Sequence, residues 1–283
     1  MRLFLLALLL STTLFGLINA PIHTPVTSVN EDEEEITIST LKNTEVGMYG
    51  AVSHWFDKRH SVALSWVEIT KIEGEVTTLK LIPILALEQS ALPSGTWKVK
   101  VDDDVAMAYN YQRAMLIAPN ASIYKKITTY HKDRQWVHPD IFASVLSSNG
   151  HPSPLKEDFA LVCRANNIGT IAFMFDKSIV TVDCQSFLII QNKSTTVKSK
   201  EQQVPFYTRV PHIENNWFGD GSNEIEDYDA YYVDLLAEHN PENHWMQKYQ
   251  HARNRASDNN EDDSWFSSFI NSFTISAGPE EED

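Results

Sequence analysis

Hydrophobic and polar residues alternate along much of this chain, in the two-residue period of a half-buried β-strand. Residues 36–39 and 62–66 show this alternation, and Glu73-Gly74 supplies a turn between the second run and residues 76–81. Two such runs joined by a short turn are typical of a β-hairpin. We therefore predict that the chain begins its folded part with paired strands.

The most regular alternation lies at 97–101, where Trp97, Val99 and Val101 are separated by two lysines. This pattern predicts a strand that buries the three apolar side chains and leaves both lysines in water. The same criteria predict further strands at 107–117, 123–130 and 206–210.

Residues 158–191 contain runs rich in valine, isoleucine and phenylalanine, separated by turn-like polar residues. They predict a β-meander, with Cys163 on its first strand and Cys184 on its third. If these cysteines are oxidised, they close a loop of about 20 residues, which stabilises a fold by roughly 3 kcal/mol. Two buried free thiols are the alternative, because spacing alone does not show whether the sulfurs are close enough to bond.

Helical periodicity is found in other parts of the chain. Residues 139–148 place apolar side chains at helical spacing, with Pro139 at the start and Asn149-Gly150 at the end. Apolar residues at 228–236 and 245–252 predict a pair of helices that pack against the sheet. The predicted fold is therefore mainly β, with antiparallel β-sandwich or barrel-like sheets and a C-terminal helical pair (α+β).

The chain has 283 residues, of which 42% are hydrophobic, enough for a folded core. Its formal net charge is −15, and much of the acidic excess lies at 31–35 and beyond Asp220. Binding to nucleic acid or to an anionic membrane surface depends on clustered lysine and arginine. The charge pattern therefore argues against both as partners.

The first 20 residues are typical of a secretory signal peptide, with a basic start, an apolar run and small residues before an expected cut near Ala20. A retained signal anchor is the alternative, although the run is short for a membrane span. No later apolar stretch approaches spanning length. We therefore expect a secreted, extracellular protein with no stable membrane span after signal removal.

Two N-glycosylation sequons, at Asn120 and Asn192, agree with export, as does the even number of cysteines. Composition also suggests an order of segments along the chain. They are a signal peptide at 1–20, an acidic disordered arm at 21–35, a β-rich domain at 36–212, a helical extension at 213–256 and an acidic aromatic tail at 257–283.

Metal binding has one weak candidate, because no histidine or cysteine spacing in the sequence matches a zinc site. Asp220, Ser222 and Glu224 place oxygen atoms at alternate positions, as calcium loops do. The glycine and the bidentate acid of an EF-hand are missing, so the identity of any metal stays open. No cofactor-binding motif is found, and we predict no cofactor.

Carboxylates after the predicted strand at 97–101 are the candidates for acid–base chemistry. Asp102 or Asp104 could pair with Glu68 or Glu75 as in a glycosidase, if the fold brings them together. A charged turn is the alternative interpretation, and the sequence contains no nucleophile motif. We therefore predict a binding protein with no catalytic residues, and keep a secreted hydrolase and a carrier of an apolar ligand as alternatives.

The tail carries five large apolar side chains on one face of a predicted helix, between acidic residues. They are Trp265, Phe266, Phe269, Ile270 and Phe273. Apolar groups of this size gain free energy when they leave water, so they should dock on a surface. We predict that they bind an extracellular protein or receptor, with packing onto the core of the same chain as the alternative.

Overall fold

The computed structural model describes residues 20–32, 34–84, 97–176, 178–195, 201–215 and 219–259. The protein is mainly β, with 33% of its residues in strands and 24% in helices. The described part of the chain contains a large antiparallel sheet, a smaller sheet and five helices, of which the last two form a C-terminal pair. The predicted fold class is confirmed.

The larger sheet has seven strands, and all pairings between them are antiparallel. These strands are β1 (Ile22–Pro25), β2 (Ser28–Asn30), β3 (Glu35–Ser39), β4 (Tyr49–Trp55), β5 (Ser61–Glu73), β6 (Val76–Ile82) and β7 (Asp104–Met107). They lie in the order β1-β7-β4-β5-β6-β3-β2. Ile36 and Ile38 of β3 and Val67 and Ile69 of β5 are buried on one face, as the two-residue period requires.

The smaller sheet has five strands and mixes parallel with antiparallel pairs. These strands are β8 (Arg113–Ile117), β9 (Gln135–Val137), β10 (Thr170–Phe175), β11 (Ser178–Asp183) and β12 (Ile189–Ser194). They lie in the order β12-β11-β10-β8-β9, and β8 is parallel to both of its neighbours. Parallel neighbours need long crossover connections, which helices provide here.

Helices cover both faces of this smaller sheet. They are α1 (Ala121–Tyr130), α2 (Asp140–Asn149), α3 (Lys156–Asn166), α4 (Tyr228–His239) and α5 (His244–Asn259). Side chains from α2 to α5 share one core cluster with the sheet, while Ile123 and Ile127 of α1 share another. All six residues of β10 are buried, which explains its unbroken apolar run. The predictions of a helix at 139–148 and of a C-terminal helical pair are confirmed.

The strand predicted at 123–130 is wrong, because these residues form α1. Asn120 caps the helix, since its Oδ1 accepts a hydrogen bond of 3.0 Å from the backbone N–H of Ile123. Ile123 and Ile127, four residues apart, are both buried against the sheet. The run rich in β-branched residues had favoured a strand, but burial of one helical face outweighs that weak preference.

The first strand of the predicted meander is also a helix, α3. Its N-terminus is stabilised by the Asp158 carboxylate, which accepts a hydrogen bond of 3.0 Å from the backbone N–H of Leu155. Phe159, Val162 and Cys163 are buried at helical spacing. The other runs of the predicted meander are strands β10, β11 and β12.

Cys163 and Cys184 form a disulfide bond, as predicted. It joins α3 to the turn after β11, and the two Cα atoms are 5.9 Å apart. The predicted placement of both cysteines on strands is wrong, because a helix and a turn carry them.

Residues 97–101, with the most regular alternation, form no strand. Trp97 and Val101 are 54% and 53% exposed, so the predicted burial of both is wrong. The strand predicted at 206–210 is likewise absent, and Phe206 is buried from an irregular segment. Both errors have one cause, since a strand needs a regular ladder of backbone bonds. Among the described residues no strand pairs with 97–101, and 206–210 makes a single such bond, of 2.7 Å from the N–H of Tyr207 to the carbonyl of Ala118.

The arm at 21–35, predicted to be disordered, contributes β1 and β2 to the larger sheet. β1 pairs with β7, opposite residues about 80 positions later in the chain. Val26, between β1 and β2, is buried in the core. Pairing with a distant strand therefore orders a polar segment that has little propensity of its own.

The signal peptide at 1–20 and the aromatic tail lie largely or wholly outside the described residues. The boundaries at 36–212, 213–256 and 257–283 stay predictions. Within the described ranges, no helix has the length and hydrophobicity needed to cross a membrane.

Candidate functional site

Three rings meet at the turn end of the β4–β5 hairpin. His54 and Trp97 are stacked, with ring centroids 6.0 Å apart. Phe56 meets both rings edge-on, at 5.1 Å from His54 and 5.2 Å from Trp97. Edge-to-face and stacked contacts of this kind are favourable for aromatic rings. We call these three side chains, His54, Phe56 and Trp97, the hairpin aromatic surface. Trp55 follows His54 directly in β4, so its side chain lies on the other face of the strand.

A tight turn at 56–60 places Phe56 in this cluster. The turn is closed by a hydrogen bond of 2.9 Å from the backbone N–H of Phe56 to the carbonyl of His60. The Asp57 carboxylate accepts hydrogen bonds from the backbone N–H of Arg59, at 2.7 Å, and from His60 Nδ1, also at 2.7 Å. Both bonds lower the pKa of Asp57, and the bond from Arg59 has the larger effect. The turn therefore has its own internal support.

The buried carboxylate of Asp103 orients two parts of the surface. Its Oδ1 accepts a hydrogen bond of 2.6 Å from Nδ1 of His54. Its Oδ2 accepts one of 2.7 Å from the backbone N–H of Lys100. The first bond sets the imidazole ring, and the second closes the turn that follows Trp97. One carboxylate thus fixes a β4 ring and the separate segment that supplies its stacking partner.

Asp104 makes a second contact with a histidine at the same end of the sheet. Its Oδ2 accepts a hydrogen bond of 2.8 Å from Nδ1 of His23 and a longer one of 3.4 Å from Nε1 of Trp55. His23 lies on β1, Asp104 on β7 and Trp55 on β4, which are adjacent strands. These bonds therefore tie three strands together on the face of β4 opposite to His54, since successive strand residues point to opposite faces.

Large apolar groups in this surface stay in contact with water. Phe56 and Trp97 are 53% and 54% exposed. Exposed apolar clusters on a folded protein mark interaction sites. Tryptophan is enriched among the residues that contribute most to binding at protein interfaces. This arrangement is suited to burying apolar surface of another molecule.

A second polar cluster lies where the two sheets meet. Asp183, at the end of β11, is buried and accepts a hydrogen bond of 2.6 Å from the Tyr111 hydroxyl. It accepts another, of 3.1 Å, from the backbone N–H of Tyr49 at the start of β4. Burial raises the pKa of Asp183, and burial together with the charge of Asp183 raises the pKa of Glu68. These contacts join the sheets through a single carboxylate.

The proposed glycosidase-like carboxylates are not paired. Glu68 lies opposite the first residue of β4, whereas Asp104 lies opposite the fifth. That offset corresponds to about 13 Å along a strand, beyond the roughly 5–9.5 Å that separates the two carboxyl groups in glycosidases. Glu75 follows the far end of β5 and is more distant still. Asp102 lies in the turn before β7, at a positive φ of 71°, so the charged-turn interpretation describes this segment.

The weak metal candidates lie in a loop that is held by its own hydrogen bonds. Ser222 Oγ donates to the carbonyl of Gly219 at 2.5 Å, and Asp220 and Glu224 flank it in sequence. Across the ranges that the structure describes, no three His, Cys, Asp or Glu side chains are grouped as metal ligands would be. The structure thus adds no donor to Asp220, Ser222 and Glu224.

The two sequons differ in their surroundings. Asn120 is half-buried at the start of α1, and its Nδ2, the atom that would carry a glycan, donates to the carbonyl of Glu201 at 2.9 Å. Asn192 is exposed on β12, an edge strand. Glycosylation of both residues stays a prediction, and Asn192 is the more accessible of the two.

Sequence reasoning missed the hairpin aromatic surface. A signal was present, because Trp55-Phe56 is followed at once by the polar turn 57–60, and aromatic residues beside a hairpin turn are poorly placed for the core. Trp97 was interpreted as a core residue of a strand, which hid its place beside them. The five apolar residues predicted to bind a partner, at 265–273, lie outside the described residues.

Comparison with known proteins gives one matching family model. The N-terminal family model of the plasminogen-binding protein pgbA matches residues 21–236. The match begins just before β1 and ends within α4, so it includes both sheets and the hairpin aromatic surface. No solved structure matches this chain.

Two curated proteins are similar to the chain, and both are named plasminogen-binding protein PgbA. The one from Helicobacter pylori strain J99 is 26% identical over 180 residues, covering 62% of this chain and 39% of the relative. The one from Helicobacter pylori strain 26695 is 25% identical over 195 residues, covering 68% and 42%. The chain therefore matches about two fifths of the length of these relatives.

Proposed function

The chain belongs to the plasminogen-binding protein PgbA N-terminal family, and from this we propose that it is an extracellular protein-binding module whose partner is plasminogen. The hairpin aromatic surface is the observation that carries the proposal to particular residues. It lies within the family match, whereas the aromatic tail at 257–283 lies beyond residue 236, where that match ends. We therefore assign binding to the β-rich part of the chain.

The surface has the properties of a preorganised binding site. Phe56 and Trp97 offer large apolar groups, and Asp103 holds the ring of His54 and the turn after Trp97. A partner that binds side chains already held in place loses less conformational entropy than one that must order them. Aromatic anchors surrounded by polar groups are the usual composition of the energetically dominant part of an interface.

Export to the outside of the cell is the second part of the proposal. The leader at 1–20 supports it on sequence grounds, and the disulfide between Cys163 and Cys184 is of the kind that persists in oxidising compartments. Modification of Asn192 with a glycan would require the same route. The aromatic residues at 265–273 are kept as a further docking segment of the secreted chain.

The test compares plasminogen binding by the folded protein and by the double variant Phe56→Ala/Trp97→Ala, measured by surface plasmon resonance. Loss of two anchors that each contribute about 2 kcal/mol should raise the Kd by about 700-fold if the two contributions add, and by about 30-fold if only one of them counts. The control is Ile141→Ala/Leu161→Ala, which removes two apolar side chains of similar exposure from α2 and α3. Equal binding by both variants would contradict the assignment to this surface, and a native protein that does not bind plasminogen would contradict the partner.

A further inference from the structure

The outer face of α1 is basic in a strongly acidic protein. Between residues 121 and 134 the chain has four basic residues and one acidic residue, while its overall net charge is −15. Lys125 and Lys126 are exposed in the middle of the helix. Tyr130, at the end of the helix, is 82% exposed, more than any other large apolar side chain among those described.

These side chains share one face of the helix. Ser122, Lys125, Lys126, Thr129 and Tyr130 follow one another at helical spacing and line one shallow depression. We call this set the α1 outer face. The opposite face, with Ile123 and Ile127, is buried against the smaller sheet. Packing against the smaller sheet therefore explains the apolar residues on the inner face of α1. It does not explain the basic and aromatic residues on the outer face.

The two lysines have no acidic neighbour along their helix. The positions three and four residues away hold alanine, serine, isoleucine, threonine or tyrosine, so the usual helical Glu–Lys pairs cannot form. The ion pairs found in the described part of the chain include neither lysine. Their positive charge is thus available to another molecule.

Further positive charge lies beyond the end of α1. Arg134 is held in place by hydrogen bonds from its Nη1 to the carbonyl of Tyr111, at 3.2 Å, and to Thr170 Oγ1, at 3.1 Å. Burial and the charge of Arg134 lower the pKa of Lys193, and Asp133 opposes this shift. Asp133 is the acid that faces these groups, and Glu201 lies at the other end of the helix, beside Asn120. The positive charge therefore extends from α1 to Lys193 on β12.

We propose that the α1 outer face docks an acidic peptide segment of a protein partner, with Lys125 and Lys126 as the charge contacts and Tyr130 as the apolar contact. A helix of 10 residues is about 15 Å long, which matches a short run of aspartate and glutamate. Charge complementarity steers such a segment to a basic helix face on an otherwise acidic protein.

The surrounding charge favours a short peptide over an extended polyanion. Electrostatic interactions between exposed charges extend over about 8 Å at physiological ionic strength. A short acidic segment can lie within that distance of the lysines alone. A nucleic acid or an anionic lipid surface would also approach the acidic remainder of the protein, which repels it.

This inference is independent of plasminogen binding. The α1 outer face is on a helix that packs against the smaller sheet. The hairpin aromatic surface lies at the turn end of β4, in the larger sheet. The first residue of β4 contacts Asp183 of the smaller sheet, so the aromatic end is about 17 Å farther along that strand. Each surface can therefore be changed without altering the other.

The test uses a synthetic octaglutamate peptide and the folded protein in isothermal titration calorimetry at physiological salt. The charge-reversal variant Lys125→Glu/Lys126→Glu should bind the peptide at least about tenfold more weakly. The matched control is Lys42→Glu/Lys80→Glu, which changes the net charge equally at two exposed lysines elsewhere. It should change the affinity by less than about twofold, because Lys80 is on β6 and Lys42 follows β3, in the larger sheet and not on α1.

A second variant and a second probe decide between the possible outcomes. Tyr130→Ala should weaken peptide binding while it leaves the circular dichroism spectrum and the melting temperature unchanged, since the side chain is exposed. Equal loss in the charge-reversal variant and its control, or no binding by the native protein, would overturn the proposal. Lysine-dependent binding to phosphatidylserine vesicles without binding to octaglutamate would also overturn it, in favour of a lipid surface.

Discussion

His54 and Asp103, 49 residues apart in the sequence, are joined by a hydrogen bond of 2.6 Å from the imidazole Nδ1 to the carboxylate. The histidine lies on β4, near its turn, and the aspartate lies immediately before β7, the adjacent strand. Asp103 is buried and also accepts a hydrogen bond from the backbone N–H of Lys100. A carboxylate in the interior therefore orients the aromatic rings at the surface. Asp103, which lies between the two aspartates considered for acid–base chemistry, is thus a positioning residue for a binding surface.

The Asp103→Asn variant should lose stability and ring order together. An amide oxygen accepts more weakly than a carboxylate, and its amide group cannot accept the bond that the second carboxylate oxygen now receives. We expect a loss of about 1–3 kcal/mol in the free energy of unfolding, measured by urea denaturation. The Trp97 region should also show broader signals in the NMR spectrum.

The control for this variant is Asp102→Asn, one residue earlier. Asp102 is exposed and has a φ of 71°, a backbone conformation that asparagine tolerates well. Its free energy of unfolding should change by less than about 0.5 kcal/mol. Equal losses in the two variants would show that charge, and not the hydrogen bonds of Asp103, matters at this turn.

Two tyrosines in the core of the smaller sheet should respond to the same substitution with opposite signs. The Tyr228 hydroxyl donates to the carbonyl of Ile117 at 2.9 Å, whereas the buried Tyr232 hydroxyl has no hydrogen-bond partner. Tyr228→Phe should therefore lower the free energy of unfolding by about 1 kcal/mol. Tyr232→Phe should raise it by a similar amount, because an unsatisfied buried hydroxyl is removed.

Thermal and urea denaturation of both variants measure these changes. The two rings are in contact, with centroids 4.9 Å apart, so each variant serves as the control for the other in the same environment. A loss of stability in Tyr232→Phe would show that its hydroxyl has a partner in solution, such as a buried water molecule.

Glu68 should make stability depend on pH with a defined sign. Burial and the charge of Asp183 raise its pKa in the folded state, so the folded protein binds the proton more tightly than the unfolded chain does. Stability then falls as the pH rises from the ordinary glutamate pKa through the raised value, and the loss is complete above it. The Glu68→Gln variant removes this contribution.

Relative to the native protein, Glu68→Gln should therefore become more stable as the pH rises from about 4 to 7. The change should stay below about 1 kcal/mol because Glu68 is only half-buried. Free energies of unfolding across this pH range measure it, with Thr70→Ala, an uncharged change on β5, as the control. A difference that does not vary with pH would rule out this effect of Glu68.

Removing the disulfide should destabilise the protein without changing its surface. The bond between Cys163 and Cys184 spans 21 residues, and in the chain-entropy model such a loop corresponds to about 3 kcal/mol. The free energy of unfolding of the Cys163→Ser/Cys184→Ser variant, measured by urea denaturation, should therefore be lower by about 3 kcal/mol. Plasminogen affinity under folding conditions should be unchanged, because the hairpin aromatic surface is in the other sheet.

A reducing agent provides the control for this variant. It should destabilise the native protein to the level of the variant and leave the variant itself unaffected. If the reducing agent shifted both proteins equally, the loss of stability would not come from this bond.

The sequence allowed prediction of the elements whose pattern admits one interpretation. The apolar residues of α2 recur at helical spacing and are followed by Gly150, whose φ of 71° ends the helix. The runs of β10 and β11 are too apolar and β-branched for a surface element. By contrast, Asp103 and His54 are separated by 49 residues, and no local pattern could show that they meet.

By itself, the sequence determined the mainly β composition, the C-terminal helical pair and the acidic surface, because these follow from local periodicity and charge. The structure decided that Cys163 and Cys184 are bonded and are not two free thiols. Only the tertiary structure decided that α1 and α3 are helices, that 97–101 pairs with no strand and that an arm at 21–35 joins a sheet. A short apolar run is compatible with both the helical and the strand period, so the surface on which it packs determines which of the two forms. The aromatic rings likewise became a surface only when β4 and a distant segment were brought together.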